Sequence, residues 1–105
     1  NLTGANLTEA NLTSAFLTNA NLSNANLTKA NLTGAELDKA NLTGANLTEA
    51  NLSGANLKKI KLNGANLSRA NLTDTNLTNT DLSKANANFK DAIGVIKDQP
   101  VTIGK

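Results

Sequence analysis

Eight carboxylates and ten basic side chains are the groups in this 105-residue chain that could carry ionic or proton-transfer chemistry, because His, Cys and Tyr are absent. General acid–base catalysis wants a group that titrates near neutrality, set against a partner. Nucleophilic catalysis wants a hydroxyl or thiol beside its base. With no His or Cys and with the Asp and Glu residues dispersed, neither arrangement is in view, and no enzyme is expected. The same dispersal gives no oxygen cluster for a metal ion, and no Gly-rich phosphate loop is present, so no metal and no cofactor are expected. Twelve Asn-Leu-Thr/Ser triplets fit the N-glycosylation acceptor pattern. Asn63-Gly64 resembles a hairpin turn. Both have a simpler origin in the periodicity that governs the chain.

Leucine stands at every fifth position from Leu2 to Leu82, and a small residue precedes each next unit from Ala5 to Ala85, replaced only at Ile60, Thr75 and Thr80. The unit is Ala-Asn-Leu-Thr-x. On an α-helix, steps of five would rotate successive leucines by about 140° and form no face. On a straight strand, an odd step throws them to alternate faces. A strand that bends after every unit satisfies the pattern: Ala and Leu point inward, and the residue two after Leu turns the corner. Gly4, Gly34, Gly44, Gly54 and Gly64 all fall in one alternate set of corners, whereas Glu9, Asn19, Lys29, Lys39, Glu49, Lys59, Arg69 and Asn79 form the other. Alternation at ten residues requires an even number of sides. Four is the smallest even polygon that encloses a core, which gives twenty residues per coil.

At that period Glu9, Lys29, Glu49 and Arg69 stack in a column of alternating sign, with coils about 4.8 Å apart. Opposite charges one rung apart favour this register.

The tandem Ala-(Asn/Asp)-Leu-(Ser/Thr)-x units resemble the pentapeptide-repeat proteins, common in cyanobacteria. The resemblance covers residues 1–92. It implies an all-β fold, a right-handed quadrilateral parallel β-helix of about four coils, with Leu and the preceding Ala inward. Asn stands here where many members carry Asp, and the frame shifts after Asn86, so that Phe89 takes the Leu slot. Solenoids need an atypical element over an open end. Ile93, Val95, Ile96, Val101, Ile103 and Pro100 suggest a capping segment or tail over 93–105. The first unit is already in phase at Asn1, without an initiator Met, which implies an absent upstream segment, compatible with export to the periplasm or thylakoid lumen. An uncapped first coil would suit end-to-end self-association.

Composition narrows the partners. A net charge of +2, scattered along the chain, leaves no footprint for nucleic acid, and no apolar run reaches membrane-spanning length. The family resemblance offers one further role, mimicry of DNA toward type II topoisomerases, but that needs a strongly negative rod. The sides built on residues 6–8 and 11–13 are uniformly Asn with Thr or Ser, which raises ice or carbohydrate-like surface recognition as an alternative. The leading expectation is a non-enzymatic scaffold that binds a protein partner. Its contact residues are sought where the repeat is broken: Phe16, Glu36, Lys39, Lys58, Lys59 and Lys61. Asp38 should neutralise Lys58, and Asp81 should neutralise Lys61. Lys39 and Lys59 stack without an opposite charge between them.

Overall fold

The computed structural model describes residues 1–80. They form four stacked coils of twenty residues, each with four sides. Parallel bridges join Asn6 to Asn26, Asn11 to Asn31, Phe16 to Glu36 and Asn21 to Asn41, and the same offset repeats up to Asn56 and Asn76. The first side carries Leu2, Leu22, Leu42 and Leu62; the second Leu7, Leu27, Leu47 and Leu67; the third Leu12, Leu32, Leu52 and Leu72; the fourth Leu17, Leu37, Leu57 and Leu77. The capping segment expected over 93–105, Phe89 and the Asp81 pairing lie outside the described residues.

The core is a column of leucines ringed by alanines. From Leu22 to Leu77 the leucines are buried, as are the alanines of the same coils. Leu2, Leu7, Leu12 and Leu17 are only partly buried and pack against the column. Each fully buried Leu contributes roughly 1.5–3 kcal/mol of transfer free energy, and none of these residues adds a polar atom that must be satisfied. The small residue is dictated by the corner: it sits where two sides converge and little room is left.

Unit 26–30 shows why the outward residues are equally constrained. Asn26 N–H donates to Ala5 O one coil below at 2.8 Å, while Leu27 and Lys29 donate to Asn46 O (2.7 Å) and Thr48 O (2.9 Å) one coil above. Ala30 N–H closes the turn onto Leu27 O at 2.9 Å. That leaves Thr28 N–H, and Asn26 Oδ1 accepts it at 3.1 Å together with the Thr28 hydroxyl at 2.7 Å. Every amide of the unit is paired, as the interior of a fold requires. The Asn is therefore a structural acceptor of the Asx-turn type. The sequence had suggested only that Asn fits an outward position; the acceptor two residues before an otherwise unpaired amide was the signal.

All corner residues adopt positive φ, from Gly4 at 70° to Asn79 at 61°, and eleven of them are not glycine. The positive φ at the third position of a Leu-to-Ala turn is the requirement of a type II turn. The alternate glycines are thus not the only left-handed corners. At Gly44 glycine leaves room for its neighbour as well: a Cβ there would overlap Oδ1 of Asn24 on the corner below and oblige that amide to turn aside, whereas a Cβ at Gly54 would meet nothing closer than Gly34 N at 4.0 Å. Gly54→Asn should therefore be nearly neutral, since Asn19, Asn24 and Asn79 already turn corners. Gly44→Asn should lower the urea midpoint, and Asn24→Gly should restore it. Equal midpoints for the two single variants would show that the Asn24 overlap has no weight.

Candidate functional site

Three sides repeat one chemistry almost without interruption, and the fourth does not. Going up the fourth side, the outward pairs are Phe16 with Thr18, Glu36 with Asp38, Asn56 with Lys58, and Asn76 with Thr78. Bridges from Phe16 to Glu36, Glu36 to Asn56 and Asn56 to Asn76 hold them in one row. The corner beyond this row stacks Asn19, Lys39, Lys59 and Asn79, fixed by Asn19 N–H to Asp38 O (3.1 Å), Lys39 N–H to Lys58 O (2.9 Å) and Lys59 N–H to Thr78 O (3.1 Å). Lys61 lies just around that corner, bridged to Asn41 on the first side.

Phe16 is 88% exposed, the one large hydrophobic side chain so placed among the described residues. Both Phe16 and Glu36 occupy the Asn slot and cannot supply the short acceptor arm that elsewhere takes the Thr amide.

The charges arrange themselves differently from the sequence expectation. Asp38 does not pair with Lys58; its Oδ1 accepts the Thr18 hydroxyl one coil below at 2.7 Å. Glu36 Oε1 accepts Nδ2 of Asn56 one coil above at 3.1 Å. A short carboxylate reaches the neutral donor directly stacked on it. Drawing in an exposed lysine would restrict a long side chain for an interaction of only about 0–1 kcal/mol. Consequently neither carboxylate neutralises Lys39 or Lys59, and among the described residues Lys39, Lys58, Lys59 and Lys61 form no ion pair.

The contrast is the opposite corner column. There Glu49 receives Arg69 Nε at 3.0 Å from above and Lys29 Nζ at 3.9 Å from below. The expected alternating column is realised in these three rungs, with Lys29 turned to Glu49 rather than to Glu9. On the second and third sides the Thr and Ser hydroxyls are mostly held by the Asn of their own unit, as in Thr33 to Asn31 (2.7 Å) and Thr48 to Asn46 (2.6 Å).

No group of His, Cys, Asp or Glu among the described residues is placed to hold a metal ion. No helix among them is long and apolar enough to cross a membrane.

This geometry has solved counterparts. Over 75% of its length the chain is similar to alr5209, a pentapeptide repeat protein from Nostoc Pcc 7120, at 39% identity and a TM-score of 0.74, spanning 65% of that protein. It is similar at 39% identity and a TM-score of 0.51 to a pentapeptide repeat protein from the cyanobacterium Cyanothece 51142, covering 93% of this chain and 56% of that one. The chain thus spans less than two thirds of the length of either. No curated protein matches it. The family model for pentapeptide repeats matches in eight copies over residues 1–38, 25–64 and 50–93. With the family model matching over most of its length and 39% identity to a solved pentapeptide repeat protein, the chain belongs to the pentapeptide-repeat family and folds as its right-handed quadrilateral β-helix.

Proposed function

We propose that this family scaffold is a non-enzymatic interaction module that presents its fourth side to a protein partner. The observation that carries this reading is the exposure of Phe16 on the one side where the Asn-Leu-Thr chemistry is broken in successive coils. An aromatic side chain in water contributes nothing to the leucine column, and it is the residue type that anchors interfaces. Among the described residues the other sides mostly hold their Thr and Ser hydroxyls on the Asn of their own unit, and their pattern is broken at a single rung, Lys61 with Asn63 on the first side. The fourth side changes over three successive rungs, and that is what a partner can read.

Phe16→Asn is the decisive substitution. It returns Asn to its slot and so supplies the missing acceptor for Thr18 N–H, which should hold or slightly raise the melting temperature. Proteins recovered on immobilised wild-type chain from source cells should be lost on the Phe16→Asn chain. If the variant recovers the same proteins as the wild type, the fourth side is not the contact side. Because the substitution repairs the local structure, loss of recovery cannot be ascribed to unfolding.

A further inference from the structure

We propose that the lysine corner formed by Lys39, Lys58, Lys59 and Lys61 receives an acidic segment of a protein partner, engaging at least two of its carboxylates. This inference rests on the reading of the fourth side as the contact side, and it adds the chemistry of what binds there.

Three observations converge on it. The four lysines are exposed, and none forms an ion pair among the described residues. Among the described residues, the two carboxylates beside them on the fourth side are engaged by neutral donors, Asp38 by Thr18 and Glu36 by Asn56. Lys39 and Lys59 stand directly one above the other, about 4.8 Å apart along the axis, where like charges oppose folding. The same column carries Asn at positions 19 and 79, and the opposite column alternates its charges through Glu49. Neutral and alternating solutions are both used in this chain, and this corner has neither.

The chemistry selects carboxylates over phosphates. All four cations are lysines, which act as flexible point charges, and the corner lacks the planar Arg fork that grips phosphate in bidentate fashion. Glu36 and Asp38 flank the lysines and would repel a continuous phosphate array, and the whole chain carries only +2. An acidic segment can thread its separated carboxylates between these negative groups. Phe16 lies two rungs below Lys58 and Lys59 on the same row, about 10 Å along the axis, so an apolar residue of the same segment can rest on it.

The test is a titration of the isotope-labelled 105-residue chain with a glutamate homopolymer of about twenty residues, followed by amide shifts. Duplex DNA and phosphatidylserine vesicles serve as comparison probes. Saturable shifts confined to the neighbourhood of residues 36–39 and 56–61 are expected. The affinity should fall at least tenfold in the Lys39→Asn/Lys59→Asn chain and stay unchanged in Lys29→Asn. The double variant carries the residue already found at this corner in Asn19 and Asn79, so its fold is secure. Absence of shifts, shifts of equal size around Lys29 and Arg69, or tighter binding of DNA or vesicles would each overturn the inference. The two readings fail separately. If the homopolymer does not bind but Phe16→Asn still loses its partner, the side stands and the acidic ligand is wrong. If Phe16→Asn keeps its partner, the fourth side fails whatever the homopolymer does.

Discussion

Leu42→Ala lowers the unfolding free energy by about 2–5 kcal/mol, whereas Leu2→Ala in the same chain lowers it by a small part of that. Leu42 is 1% exposed, in the third coil, with leucines of the second and fourth coils stacked on it. Its neighbours are held in place by three inter-coil amide bonds per unit, so they cannot move into the space left by the missing atoms. The leucine column already leaves a small apolar gap between the third and fourth coils, lined in part by Leu42, Leu62 and Ile60, and truncation enlarges it. Leu2 is only partly buried, so less apolar surface is returned to water on truncation and part of the space is open to solvent. The check is urea unfolding of both variants with a common slope. Equal losses at the two positions would mean that stability does not depend on stacking between coils.

Thr75→Val and Thr80→Val, the same isosteric change at two corners of the fourth coil, shift stability in opposite directions. Both threonines occupy the slot of the inward Ala and both are buried. Thr75 Oγ1 has no hydrogen-bond partner, and the turn bond from Thr75 N–H to Leu72 O is long at 3.3 Å. A buried hydroxyl without a partner carries its full desolvation penalty, so replacing it with a methyl group stabilises by about 1 kcal/mol or more. Thr80 is different. Its hydroxyl donates to Leu57 O at 2.6 Å and accepts Ile60 N–H at 3.3 Å. It thereby bridges the turn of the coil below, where the other described units close Leu to the small residue directly. Thr80→Val strands a buried amide and a buried carbonyl, at a cost of about 1–3 kcal/mol. Midpoints that move in the same direction for both variants would defeat this account.

The two threonines mark where sequence reasoning stopped. Each is legible as a departure from Ala, and at that level they are identical. Their opposite effects depend on what stands twenty residues earlier: Ala55 beneath Thr75, and Ile60 beneath Thr80. The same limit applied to Asp38. Register put it correctly beneath Lys58, but a two-bond carboxylate arm found the Thr18 hydroxyl first.

By itself the sequence determined the period, the inward Leu/Ala pair, the four sides, the twenty-residue register and thus every stacked column, including Lys39 beneath Lys59. These follow because a five-residue unit with one large and one small apolar position has few ways to turn both inward, and stacking then repeats that solution coil after coil. Only the tertiary structure decided that every described corner is left-handed, that Asn26 and its equivalents serve as acceptors for the one amide taken neither by a neighbouring coil nor by the Leu-to-Ala turn, and that the carboxylates of the fourth side turn away from its lysines. The reason is one of magnitude. The register is enforced by a whole column of buried leucines and paired amides acting together. The direction of an exposed Asp, Glu or Lys is settled among alternatives separated by about 1 kcal/mol or less, and the winner is whichever donor a neighbouring coil happens to place within reach.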